Sequence, residues 1–212
     1  YNSPLPGCIS DNGNTIALSV FAGGSNTALS IIHILKYNSI ANSYDYYYTI
    51  DAGNNSDWYA LTMEMSGDGS TLIFLDQRLA YQGVEFEIWR DNIVNNEFEL
   101  EKSYTVTNND QSDYHFNFST FSINYNGKVF AAATKGIYWP NNGVGYIFIY
   151  SYNESTSNWQ DVERIYNPNI SDYSLFGNCL KLNSDASRLW AGALNGTGVL
   201  YLYENTSASG LY

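Results

Sequence analysis

A hairpin plan that recurs four times at nearly equal intervals limits what this chain can fold into. Each copy is an apolar alternation, a tight polar turn and a second apolar run, at 8–18, 63–74, 121–131 and 180–191. The turns carry Asn12-Gly13, Asp68-Gly69, Asn126-Gly127 and Asp185-Ala186, whose last residues lie 56, 58 and 59 apart. Such dipeptides favour the positive φ that a tight hairpin demands. Self-similarity at a nearly fixed period is the mark of a repeat architecture.

Each hairpin is followed, after a stretch of variable length, by another apolar strand. These strands contain Ile31-Ile32-His33-Ile34-Leu35, Glu85-Phe86-Glu87-Ile88-Trp89, Tyr146-Ile147-Phe148-Ile149-Tyr150 and Val199-Leu200-Tyr201-Leu202-Tyr203. A strand wet on one side alternates apolar with polar. Three of the four do not, which predicts sheets covered on both faces; Glu85 and Glu87 put a polar face on the second. Outer strands are expected at 44–50, 97–107 and 158–166, and the fourth unit lacks one. No segment combines a 3.6-residue period with caps, so helices are not expected. The predicted fold is therefore all-β: a propeller-type array of four four-stranded antiparallel blades, the last incomplete. One domain spans 1–212, with blades at about 5–51, 58–107, 114–167 and 174–204.

The fourth unit, Phe176-Gly177-Asn178-Cys179-Leu180-Lys181-Leu182 through Trp190-Ala191-Gly192-Ala193 and Gly198-Val199-Leu200-Tyr201, resembles an FG-GAP repeat of the integrin-α-like β-propellers. The third unit is similar through Gly145-Tyr146-Ile147-Phe148-Ile149-Tyr150, with Ala132 where the family favours Gly. The first two units keep the period but lack the Phe-Gly pair. The resemblance implies an extracellular propeller, and the family's usual number is seven blades. Three readings of four units stay open: a segment of a longer propeller, a closed four-bladed ring, or a strand supplied by another molecule. The chain opens on Tyr1 with no initiator Met and no basic leader, so it reads as a processed chain or an excerpt.

Composition removes several functions. Nine Lys and Arg against 21 Asp and Glu leave a net charge of −12, which argues against nucleic-acid partners. No apolar run approaches the ~18 residues that span a bilayer. Many integrin-type blades hold Ca²⁺ through several carboxylates in this hairpin loop. Here the turns hold one each, at Asp11, Asp68 and Asp185, too few for six to eight oxygens, so no metal or other cofactor is expected. His33 and His115 are the only histidines, His33 lies mid-strand among Ile and Leu, and no G-x-S-x-G, H-E-x-x-H or P-loop occurs. The pairs Glu85/Glu87 and Glu97/Glu99 read as solvated strand faces. The chain is thus expected not to be an enzyme.

Two binding readings remain. A structural or adhesive module of a surface or filamentous glycoprotein assembly has protein partners, either further propeller sequence or neighbouring copies. A carbohydrate-binding propeller would instead use Trp139, Asn141 and Asn142, on a Trp-Pro-Asn-Asn-Gly loop that can stack on a sugar. Tyr44 and Tyr46–48 read as a half-buried outer strand. Six N-glycosylation sequons occur, at Asn54, Asn117, Asn153, Asn169, Asn195 and Asn205, and all but Asn117 fall in expected turns or loops. They and the family resemblance favour a secreted or cell-surface location. A disulfide between Cys8 and Cys179 requires their units to be neighbours, as in a closed ring; in an open arc each is free or paired elsewhere. Finally, Val199, Leu200, Tyr201, Leu202 and Tyr203 form an edge without Lys, Pro or a bulge. Such edges template pairing with another chain. This one is expected to be covered by a segment outside 158–204.

Overall fold

The computed structural model describes residues 7–22, 29–54, 62–76, 84–106, 117–135, 145–168, 176–193 and 198–205. They form fifteen strands in four antiparallel sheets, and no helix occurs among them. Sheet 1 runs β1 (Gly7–Ile9), β2 (Thr15–Ala22), β3 (Leu29–Asn38) and β4 (Ser43–Asn54). Sheet 2 runs β5 (Met63–Met65), β6 (Thr71–Asp76), β7 (Val84–Asn92) and β8 (Glu97–Val106). Sheet 3 runs β9 (Asn117–Ile123), β10 (Val129–Lys135), β11 (Tyr146–Asn153) and β12 (Asn158–Tyr166). Sheet 4 has β13 (Cys179–Leu182), β14 (Arg188–Ala193) and β15 (Val199–Glu204), with β15 at its edge. The order within every sheet is the order along the chain.

The chain divides into two compact units, Tyr1–Tyr81 with Glu85–Thr105 and Gln82–Val84 with Val106–Tyr212. The first holds sheets 1 and 2 and the second holds sheets 3 and 4.

The recurring turn has one design in all four sheets. The residue that opens it (Ser10, Ser66, Asn124, Asn183) uses a side-chain oxygen to accept the amide five positions on, at 2.9 to 3.0 Å. The residue two further on (Asn12, Asp68, Asn126, Asp185) accepts the amide of the next residue but one. Between them these acceptors satisfy turn donors that the ladder leaves over. The fourth position then takes positive φ: 70° at Gly13, 77° at Gly69, 66° at Gly127 and 56° at Ala186. The carboxylate oxygen of Asp68 is occupied by its own turn, accepting from Ser66 Oγ, Ser70 N and Ser70 Oγ.

A second design joins the two outer strands. Asn38, Asn92 and Asn153 each accept two backbone amides, two and three residues ahead. The chain then turns through positive φ at Asn42, Asn96 and Ser157. Asn153, a sequon residue, therefore ends β11 with its carbonyl oxygen capping a turn.

Within each unit one sheet packs on the next. In the first unit Ala17, Ile32, Ile34 and Ile50 of sheet 1 meet Met63, Met65, Leu72, Phe74 and Phe98 of sheet 2. In the second, Ala131, Ala133, Ile147, Ile149 and Ile165 of sheet 3 meet Leu180, Leu182, Leu189 and Ala191 of sheet 4. The register shows that the same rows are used both times. Ala17 opposes Ile34 and Ser19 opposes Ile32; in sheet 3 Ala131 opposes Ile149 and Ala133 opposes Ile147. We call this the leading face of a sheet and the opposite one, which in sheets 2 and 4 receives the preceding sheet of the same unit, the trailing face.

Polar contacts reinforce both packings. In the first unit Lys36 Nζ lies 2.6 Å from Asp91 Oδ2, and Tyr47 donates its hydroxyl to Asp91 Oδ1 at 2.8 Å. Burial, together with Asp91, raises the Tyr47 hydroxyl well above its ordinary value. In the second unit the Leu182 amide donates to Ser122 Oγ at 2.9 Å.

Candidate functional surface

Superposing the repeats by register shows where the faces end. The rows Cys179–Gly192–Leu200 and Lys181–Trp190–Leu202 make the leading face of sheet 4. Leu200 stands where sheets 1, 2 and 3 have Ile32, Phe86 and Ile147, and Leu202 stands where they have Ile34, Ile88 and Ile149. Those six are at most 1% exposed, whereas Leu200 is 61% and Leu202 43% exposed. Trp190 replaces Ala17, Ile73 and Ala131, all fully buried, and is 40% exposed.

The trailing face of sheet 1 mirrors this. Ile9 is 55% and Leu18 43% exposed, although their counterparts Met65, Ile123 and Leu182, and Phe74, Ala132 and Ala191, are buried. His33 lies on the same face, half-buried, with Nδ1 3.0 Å from Thr49 Oγ1.

The leading face of sheet 4 has a hollow. Gly192 lies in register between Cys179 and Leu200, and the Cys179 thiol lies over it, 2.3 Å from where a Cβ would stand. With Asn178, Ala193, Gly198 and Val199 these residues line an open apolar hollow of about 310 Å³. An apolar depression flanked by large exposed Leu and Trp side chains has the form of a packing surface. The edge of β15 lies beside it, and its register with β14 runs without a break from Val199 to Glu204.

The other residues singled out in the sequence fall as follows. The strand of Val199, Leu200, Tyr201, Leu202 and Tyr203 is not covered on both faces: only its trailing side, through Tyr201 and Tyr203, packs against a core. Among the described residues β15 pairs with β14 alone, and the cover expected for its outer edge is further propeller sequence or a neighbouring subunit. Glu87, expected on a wet strand face, is 5% exposed and accepts a hydrogen bond from Trp89 Nε1 at 2.8 Å. That bond answers the cost of burying the carboxylate. Asn54, expected in a loop, is the last residue of β4.

Cys8 and Cys179 are free thiols. Cys8 packs against the core of its own unit, while Cys179 is exposed on the outer face of sheet 4. Burial, with Glu64 nearby, pushes the Cys8 thiol up to about 12, so it stays protonated and a poor nucleophile at neutral pH. Among the described residues no three His, Cys, Asp or Glu side chains gather as a metal site would require. Trp139, Asn141, Asn142, His115, Asn169 and Asn195 lie outside the described residues. Asn117 opens β9, and Asn205 directly follows β15, donating its amide to the Ser187 carbonyl at 2.8 Å.

That an open array of four units exposes the apolar outer faces of its first and last sheets follows from the repeat plan; which side chains stand there does not, because Leu200 and Leu202 belong to the same residue class as the buried residues they replace. Only the register of the repeats, applied position by position, singles them out.

Three four-stranded sheets and one of three strands, antiparallel and in chain order, with leading face packed on trailing face within each unit, define a β-propeller fold, of which the described residues form part. Solved propeller structures are similar to it. The β-propeller domain of Cps50 (Swd1) from Myceliophteria thermophila has a TM-score of 0.55 at 12% identity, over 95% of this chain and 51% of that one. Sqt1 from Chaetomium thermophilum has a TM-score of 0.55 at 12% identity, over 93% and 43%. Prolyl oligopeptidase B from Galerina marginata has a TM-score of 0.55 at 11% identity, over 97% and 28%. This chain thus spans about half, or less, of the length of each. No family model and no curated protein matches the sequence.

Proposed function

We propose that the chain is a non-enzymatic protein-interaction module of an extracellular or cell-surface glycoprotein assembly. The exposed leading face of sheet 4 carries this reading. Leu200, Leu202 and Trp190 present to solvent the positions that sheets 1 to 3 bury. Exposed apolar surface of this kind marks interaction sites on soluble proteins. The neighbouring β15 edge supports it, having none of the devices that blunt an exposed strand. The resemblance of the third and fourth units to FG-GAP repeats and the sequons, Asn153 and Asn205 among them, support the extracellular setting.

Native mass spectrometry and a glycan array test this on the 212-residue chain. The expected result is assembly through protein contacts with no glycan retained. A monomer that binds a glycan, and loses it on Trp139→Ala, would overturn the reading in favour of a carbohydrate-binding propeller.

A further inference from the structure

We infer that the leading face of sheet 4 docks on the trailing face of sheet 1 of a second copy, in a head-to-tail contact. This names the partner for the interaction module above and rests on that reading. The chain supplies its own template. Sheet 1 packs its leading face on the trailing face of sheet 2, and sheet 3 does the same on sheet 4. Both contacts use the same rows of the repeat.

Among the described residues, sheet 4 exposes a leading face of Leu200, Leu202 and Trp190, and sheet 1 exposes a trailing face of Ile9 and Leu18. One is the counterpart of the other. Each matches the class of surface that the repeat buries twice within one chain. The apolar hollow lined by Cys179, Gly192, Val199 and Leu200 gives a side chain of the incoming face a place to seat.

Such a contact is heterologous: the two patches differ, so a docked pair still has one free face of each kind. Repetition closes into a ring or extends into a filament, depending on the rotation between copies. Each chain carries a net charge of −12, so the copies repel one another while their apolar faces attract. Added salt screens that repulsion and is expected to tighten the contact.

Two variants give the test. Leu200→Asp with Leu202→Asp disables the leading face, and Ile9→Asp with Leu18→Asp disables the trailing face. All four side chains are already exposed, and unchanged circular dichroism confirms that both variants fold. Sedimentation velocity up to about 100 μM should show the wild type associating, more strongly in higher salt. Each variant alone should remain monomeric. Their equimolar mixture should form a one-to-one dimer that grows no further, because only one good face of each kind survives.

A monomeric wild type, continued association of either variant alone, or a mixture that forms no dimer would each overturn the head-to-tail contact. None of these removes the interaction-module reading. That reading falls only to the monomer whose glycan binding depends on Trp139.

Discussion

Ile149→Ala should destabilise the chain by about 4 kcal/mol, whereas Leu202→Ala, the same position one repeat later, should cost under ~0.5 kcal/mol in dilute solution. Ile149 is 1% exposed in the core shared by sheets 3 and 4. Removing three carbons there loses their transfer free energy and leaves a cavity that the surrounding strands fill only in part. Leu202 is 43% exposed, so its truncation gives up little buried area. Urea unfolding of both variants at low protein concentration makes the comparison. Equal losses would show that Leu202 is buried in the monomer and that sheet 4 has no free leading face.

Gly69→Ala is the second large effect, at about 3 kcal/mol, against about 1 kcal/mol for Gly13→Ala. Both glycines hold positive φ at the same turn position, which costs an L-residue roughly 1 kcal/mol. The surroundings differ. A Cβ on Gly69 would lie 2.4 Å from Thr15 Oγ1 and 2.9 Å from Thr15 Cβ, and Thr15 is buried with little room to move. At Gly13 nothing lies within 4 Å. Ala186 completes the series as a residue that already bears the strain. Ala186→Gly relieves about 1 kcal/mol of backbone strain but removes a buried methyl worth about 0.8 kcal/mol, so its net effect should be near zero. Thermal unfolding of the three variants should place Gly69→Ala well below the other two.

Much of the architecture was legible because its signals are local. The turn dipeptides fix φ, the alternation fixes strands, and equal spacing makes four units of one plan. Strand positions follow closely: the third outer strand, expected at 158–166, is Asn158–Tyr166. An open array of four units also implies exposed apolar faces on its first and last sheets; what the sequence does not carry is which side chains stand on them. Ile149 and Leu202 are equally apolar, and their exposures differ because one has a sheet over it and the other does not. Glu87 shows the converse. Its carboxylate looked like a wet residue, but the Trp89 indole two residues on, along the same face of β7, gives it a buried partner. The turn acceptors Ser10, Ser66, Asn124 and Asn183 were also missed, although all four precede their positive-φ residue by three. Their role emerges only when the amide five residues on is seen to need an acceptor.

Hydroxyl-radical footprinting of the wild-type chain, dilute and concentrated, tests most directly the claim that the two end faces are docking surfaces. Oxidation of Trp190, Leu200 and Leu202 on sheet 4 should fall together with that of Ile9 and Leu18 on sheet 1 as concentration rises. Leu189, Ile32 and Ile149 should stay protected throughout. Oxidation unchanged with concentration at both faces, or falling at one face alone, would contradict the account.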